Sequence, residues 1–362
     1  MSKKYILSVQ GEGRGHMTQT LSMYDLLIEE GHTVCAVILG SSGNRDVPQF
    51  FFDKIKCPII QLQSPNFVCD KNNKSINITK SVIHNFGKLK TFRNSLKAID
   101  ALMKEHQPDV VINFFDLLIG LYYRFYKPQA KLICVGHQYI YFHPDFEFPE
   151  GHWLDRAAIK FFTRMTSKGS SKNLGLSFYK IHTNNEEVVI VPPLLRKEIF
   201  ELQTKRDDFY LVYLVNSGYF EEVLSWHRKN PEITLHCFTD QPEKINASYE
   251  FDKEKLFLHA INDKLFLEMM SKSKGLASTA GFESVCEAMY LGKPVLMVPI
   301  HGHFEQFCNS RDAYKAGAGI FSDSFDLSKL ANFSTTFDGS NPWFKNWVAN
   351  AKHRIYNEII SV

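Results

Sequence analysis

The chain has 362 residues, 44% apolar and 22% charged, with a formal net charge of +3, a size for two ordinary domains with separate cores. So small a charge, with no basic tract and no aromatic–basic signature, excludes nucleic acid as a partner. Seven scattered cysteines lacking a C-x-x-C pair exclude a disulfide framework or zinc site. The apolar run before the first glycines is too short for a signal peptide and no 18-residue apolar run follows it, so the expected location is the cytoplasm.

The first run, YILSV at 5–9, is short and continuously apolar. TVCAVIL (33–39), DVVINF (109–114), KLICVG (131–136) and EVVIV (187–191) repeat its character. Unbroken apolar runs fit strands covered on both faces, as in a parallel sheet. Between the first two, MTQTLSMYDLLIEEG places Leu21, Tyr24 and Leu27/Ile28 on one helical face and stops at Gly31. VPPLLR at 191–196 carries two prolines and reads as a stiff connector. The rhythm then restarts with FYLVYLV (209–215), ITLHCF (233–238), KLFLH (255–259) and PVLMVP (294–299). The pattern predicts an α/β protein of two Rossmann-like domains, 1–195 and 207–341. A final amphipathic helix, 342–362, would cross back onto the first domain. Its apolar stripe would hold Trp343, Phe344, Trp347, Ile355 and Ile359/Ile360. Ligands of such sheets lie at the carboxyl ends of strands, in a crevice between the domains. That points to GEGRGH (11–16) after the first strand and to NSG (216–218) after the first strand of the second domain.

GEGRGH supplies Gly11, Gly13 and Gly15 and then His16. A dinucleotide fingerprint needs a third glycine where His16 stands, so that spacing fails. The glycines make either a plain tight turn or room for a ligand against the backbone. His16 is either a helix-start histidine or a proton acceptor. His137, just after the run at 131–136, is either an acceptor contact or a satisfied buried histidine. His301 and His303 have metal-like spacing but no third ligand beside them, so no metal is expected.

The most informative stretch is 276–311, LASTAGFESVCEAMYLGKPVLMVPIHGHFEQFCNSR. LAS ends a strand and TAGFES opens a helix, with Ser278 or Thr279 suited to the N-cap. The free N–H groups at Ala280, Gly281 and Phe282, together with the helix dipole, make an anion site. Glu287 lies one turn beyond Glu283, and a carboxylate there can accept two hydrogen bonds from a diol. EQFCN opens another helix and sets Glu305, Gln306 and Asn309 near the same edge.

This stretch resembles the donor-binding region of GT-B nucleotide-sugar glycosyltransferases. That superfamily includes plant and bacterial small-molecule glycosyltransferases and the N-acetylglucosaminyltransferase that makes lipid II. GEGRGHMTQTL (11–21) resembles the glycine-rich first loop of the latter. The resemblance implies two facing Rossmann-like domains and a nucleotide diphosphate sugar as donor, with UDP the expected nucleotide. It implies that Thr279, the backbone at Gly281 and Phe282, Ser284, and Ser217 in NSG meet the diphosphate. It places Glu287 on the donor ribose, Glu305 and Gln306 on sugar hydroxyls and Ile261 beside the nucleobase. His16 falls at the catalytic base, with Gly13, Arg14, Gly15 and His137 on the acceptor side. Where the plant motif reads His-Cys-Gly-Trp-Asn, this chain has Thr279-Ala280-Gly281-Phe282-Glu283.

The expected reaction is therefore an inverting, metal-independent transfer without a cofactor, to a small-molecule, glycan or lipid-linked hydroxyl acceptor. HNFGKLKTFRN (84–94) and GLYYRFYKPQAK (120–131) offer aromatic and basic residues for peripheral contact with a membrane's inner face, or else solvated helix faces. A nucleotide-sugar 2-epimerase of the same architecture and a non-catalytic partner protein of that fold are the alternatives.

Overall fold

The computed structural model describes residues 2–41, 47–65, 88–183, 185–214 and 217–362. Residues 84–87 of the first basic–aromatic segment and Asn216 of NSG lie outside the described residues. The described chain divides into two compact units. One comprises the residues up to Arg196 together with Asn346–Val362, and the other Lys197–Lys345.

The first unit is built on seven parallel strands: β1 (Lys4–Gln10), β2 (Thr33–Ser41), β3 (Ile59–Gln63), β4 (Val110–Phe114), β5 (Lys131–Gly136), β6 (Lys172–Leu176) and β7 (Val189–Val191). Their order is β3-β2-β1-β4-β5-β6-β7. Tyr5, Ile6, Leu7 and Val9 of β1 are fully buried, as are Val111, Ile112 and Phe114 of β4. The sheet is covered on both faces, and its strands therefore read as unbroken apolar runs. Four helices matter here: α1 (Arg14–Glu29), α2 (Leu89–His106), α3 (Leu117–Tyr126) and α4 (Trp153–Thr166). In α1, Leu21, Tyr24 and Leu27 are buried as expected, but Ile28 is 46% exposed. The buried face is wider than one stripe and takes in Thr18, Gln19, Thr20 and Ser22 instead. Helices α3 and α4 cross very closely at Gly120, where a Cβ would stand 1.9 Å from Met165 O.

The second unit repeats the plan with six parallel strands: β8 (Tyr210–Leu214), β9 (Leu235–Thr239), β10 (Leu256–Ala260), β11 (Leu276–Ser278), β12 (Val295–Met297) and β13 (Gly319–Phe321). Their order is β10-β9-β8-β11-β12-β13. One core packs Val212, Leu214, Phe220, Val223, Leu296 and Phe325 against the sheet. Helices α5 (Phe282–Tyr290) and α6 (Phe304–Lys315) follow β11 and β12.

The C-terminal segment forms two helices, α7 (Pro342–Ala349) and α8 (Ala351–Ile360), where one was expected. They part at Asn350, whose backbone leaves helical geometry (φ −98, ψ 9). The buried stripe is Phe344, Val348, Ala351, Ile355 and Ile359, while Trp343 and Ile360 are each more than 40% exposed. This segment does cross back. Trp347 Nε1 donates to Ser177 O at 3.0 Å, Lys172 meets Glu358 at 2.9 Å, and Lys3 Nζ donates to Val362 O at 3.1 Å.

Candidate active site

The open α/β plan places ligands where strand order reverses, at the carboxyl ends of the two strands flanking that point. In the first sheet those strands are β1 and β4, and in the second β8 and β11. Each sheet carries one strained non-glycine residue there. Phe115, directly after β4, has φ +61, and Ala280, two residues after β11, has φ +57. A left-handed residue with a Cβ costs of order 1–3 kcal/mol and persists only where its surroundings enforce it.

Around Phe115 the enforcement is visible. Asn113 Nδ2 donates to Asp116 O at 3.0 Å and to Thr166 O at 2.9 Å, while its Oδ1 accepts from Asp116 N–H at 2.9 Å. The Asp116 carboxylate, fully buried, accepts from Ser8 Oγ (3.0 Å), Ser64 Oγ (2.9 Å) and Leu118 N–H (3.1 Å). Burial nevertheless pushes its pKa up to about 6, because the three hydrogen bonds only partly offset lost hydration. Gly40 makes room for it: a Cβ there would lie 2.7 Å from Asp116 Oδ1.

The clamp holds the Phe115 ring beneath His16. The two rings stack with centroids 5.8 Å apart and 21° between planes. His16 sits in the first turn of α1, after Gly13 at the N-cap and beside Arg14 and Gly15, and no side chain caps that helix. At Gly13 a Cβ would press on the His16 ring at 3.1 Å, so that glycine gives the imidazole its room. Gln138 Nε2 lies 3.3 Å from His16 Nε2. An amide N–H donated there makes Nε2 the unprotonated nitrogen, the one with a lone pair for a proton. His137 goes the other way. It is 2% exposed, its Nδ1 meets Leu176 O at 2.7 Å, and burial lowers its pKa to about 4. It is a neutral interior imidazole, wedged edge-on against Phe178.

Gln138 and Asp116 were not singled out from sequence. The signal for Gln138 was its place in HQY straight after a strand, where the short 3-10 turn His137–Phe142 sets successive side chains about 120° apart. Asp116 announced itself only as an N-cap for α3, which it is.

In the second unit β11 ends at Ser278, and Thr279 is also buried. The helix starts two or three residues later than expected: its N-cap is Gly281, and no side chain caps it. The left-handed Ala280 turns the chain first, so neither Ser278 nor Thr279 reaches the cap position. Ser284 Oγ donates to Gly281 O at 3.3 Å, and Asn309 Nδ2 on α6 donates to Ala280 O at 3.3 Å, bracing the turn. Among the described residues, the buried hydroxyls of Ser278 and of Thr239, at the carboxyl ends of β11 and β9, have no hydrogen-bond partner. An uncapped helix start bordered by the unused Ser278 hydroxyl, with that of Thr239 two strands away in the same sheet, is suited to an anion. Glu287 is 1% exposed and Glu283 6%. Both act on the Cys286 thiol, whose pKa is raised well above its ordinary value by burial and then by Glu283, Glu287 and Asp312.

The remaining candidates lie at loop–helix junctions of this unit. Ile261 follows β10, and Asn262 caps the next helix by accepting from Leu265 N–H at 2.9 Å. Ser217 opens a 3-10 turn after β8. Glu305 and Gln306 stand in the first turn of α6, and Gln306 Oε1 accepts from Ile300 N–H at 2.9 Å, which ties the helix to the preceding loop. His303 is the N-cap there, its Nδ1 accepting from Gln306 N–H at 3.4 Å. A groove of about 540 Å³ lined by Glu221, Trp226, Lys229 and Ser324 contains none of these candidates.

Comparison with known proteins bears on the fold and the family. Among curated proteins, mouse ceruloplasmin is 29% identical over 123 residues, 34% of this chain. The chain matches only 10% of that protein's length, and nothing is carried over from it. Solved structures match throughout. Arabidopsis thaliana UGT89C1 complexed with quercetin has a TM-score of 0.66 at 14% identity, covering 100% of this chain and 99% of that one. Phytolacca americana UGT2, complexed with UDP-2-fluoro-glucose and pterostilbene, gives 0.64 at 12%, with 100% and 99% covered. Acinetobacter baumannii MurG gives 0.57 at 16%, with both chains covered in full. These likenesses identify the fold as GT-B. The profile described as glycosyl transferase family 1 matches residues 3–337, nearly the whole chain. The chain belongs to glycosyl transferase family 1 and is a glycosyltransferase.

Proposed function

We propose that the enzyme transfers a sugar from a nucleotide diphosphate sugar, UDP-linked in the first instance, to an acceptor hydroxyl with inversion and without a metal. One observation carries the donor assignment: the uncapped start of α5, introduced by a left-handed Ala280 and bordered by the unpartnered Ser278 hydroxyl. A protein of similar fold holding UDP-2-fluoro-glucose supports the same reading.

In the proposed reaction the acceptor O–H gives its proton to His16 Nε2, taking the place of the Gln138 amide. The acceptor oxygen then attacks the anomeric carbon from the face opposite the leaving group. The bond from that carbon to the diphosphate oxygen breaks, and the nucleoside diphosphate leaves with the electron pair. The N–H groups of Gly281 and Phe282 and the dipole of α5 meet the charge that develops, a role otherwise filled by a cation. Thr279, Ser284 and Ser217 complete the diphosphate site, Glu287 takes the ribose, Ile261 borders the base, and Glu305 and Gln306 take the sugar.

The test is UDP release from UDP-sugars against a panel of phenolic, glycan and lipid-linked alcohols. His16→Ala should lower turnover by about 10²–10⁴-fold, the range for a positioned general base. Donor affinity by calorimetry should stay within about threefold. Near-normal turnover in that variant would remove His16 from the mechanism, and absence of binding to any nucleotide sugar would remove the donor assignment.

A further inference from the structure

Helix α4 is turned inside out with respect to ordinary surface helices. Its solvent face carries Trp153 (73% exposed), Leu154 (63%) and Phe161 (68%), and Ala157 and Ala158, also exposed, fill the space between them. At 100° per residue these five fall on one side, opposite the buried Thr163 and Thr166. Surface helices of a globular protein present the reverse pattern.

One edge of this apolar face is a row of cations. Arg156, Lys160 and Arg164 recur at every fourth position, and Lys168 follows just beyond the helix. Arg156 lies over the Phe148 ring at 4.8 Å, Lys160 over the same ring at 5.9 Å, and Arg164 over Phe142 at 5.4 Å. Their stems are thus laid down on aromatic rings. No carboxylate interrupts the row. Asp155, the helix's one acid, lies off that edge and meets His152 at 3.2 Å. Burial, then the neighbouring Arg164 and Arg156, lower the Lys160 pKa, and Glu187 only partly opposes them. The adjoining α3 ends in similar chemistry, with Phe125 67% exposed between Arg124 and Tyr126–Lys127.

We infer that α4 is an interfacial anchor that lies flat on an anionic lipid membrane. Trp153, Leu154 and Phe161 enter the headgroup–acyl boundary, and the Arg156–Lys160–Arg164 row meets lipid phosphates. An exposed aromatic face flanked by cations is what such a surface binds, whereas a protein partner would not require an unbroken cation row. Fourteen residues are too few to cross a bilayer. Among the described residues no helix is long and apolar enough to do so. The close crossing at Gly120 fixes α4 to the body of its unit, so docking this face orients that unit against the lipid.

The experiment is sedimentation of the full chain with phosphatidylglycerol-containing vesicles, against pure phosphatidylcholine vesicles. Binding should favour the anionic vesicles and weaken as salt rises. The double variant Trp153→Ser/Phe161→Ser should bind at least about tenfold more weakly, and each of Arg156→Gln, Lys160→Gln and Arg164→Gln about fivefold more weakly. Because these side chains are largely solvent-facing, thermal midpoints should hold, which separates lost docking from lost folding. Equal binding to both vesicle types would overturn the anchor, as would undiminished binding by the variants. So would a concentration-dependent dimer that Trp153→Ser abolishes, since it would assign the face to a second copy.

Discussion

At the scale of single residues, the first unit places two polar groups where a bulky side chain has been forced into a left-handed bend. His16 rests on Phe115, and Phe115 is held by the Asn113–Asp116 clamp. Asp116 has a folded pKa of about 6 against an ordinary 3.8, so the fold favours its protonated form. Its stabilising contribution is complete below about pH 4 and is lost as the pH rises through about 6. Asp116→Asn keeps the shape and removes the charge, with Ser8 able to turn from donor to acceptor. The variant should match wild type near pH 4 and exceed it near neutrality, by up to about 3 kcal/mol. Urea unfolding across that pH range measures the difference, and a variant weaker at every pH would show that the ionised carboxylate is what holds the bend. His137 shows how residue type alone leaves two readings open. A histidine after a strand reads as chemistry, yet its ring serves Leu176 O while the less conspicuous Gln138 reaches His16.

At the scale of elements, the runs covered on both faces were legible because burial leaves no polar alternation to confuse them. β3 (IIQLQ) was not, since its residues are only partly buried or exposed. Neither was β6, whose KNLGL contains a glycine and two polar residues. The helix start after β11 was legible, but not its register. Nothing in the letters Thr-Ala-Gly announces that alanine takes the left-handed conformation while glycine stays at φ −70. That inversion leads to a prediction. Ala280→Gly removes a backbone strain of about 1 kcal/mol and adds a similar entropic cost, so stability should change by less than about 1 kcal/mol. The turn, however, becomes free to unwind in the absence of ligand. Nucleotide affinity by calorimetry should fall about three- to tenfold, and unchanged affinity would mean that the bend is incidental to binding.

At the scale of the whole molecule, each unit carries one histidine whose folded pKa is depressed to about 4 by burial: His137 in the first and His236 in the second. For a base with a lowered pKa, the stabilising contribution is complete above its ordinary 6.5 and is lost as the pH falls toward 4. Both units should therefore weaken in mild acid, each histidine adding at most about 1.4 kcal/mol per pH unit. In the first unit Asp116 works against that trend, because its neutral form is favoured over the same interval. Among its described residues the second unit has no such compensation from a carboxylate with a resolved upward shift. Calorimetric scans from about pH 7 down to about pH 4.5 should show the Lys197–Lys345 transition falling faster. His236→Phe, which keeps a ring between Phe209 and Phe257, should flatten it.

The return of α8 to the first sheet bears on the order of events during synthesis. Lys172, His32 and Lys3 bind Glu358, Tyr356 and Val362, so the unit bearing His16 takes its last contacts from the end of the chain. A ribosome must first produce all of Lys197–Lys345, which at 5–20 residues per second takes roughly 7–30 s. For that time the first sheet stands without its closing helix while the later-made unit is still emerging. The unit begun first is therefore the one completed last.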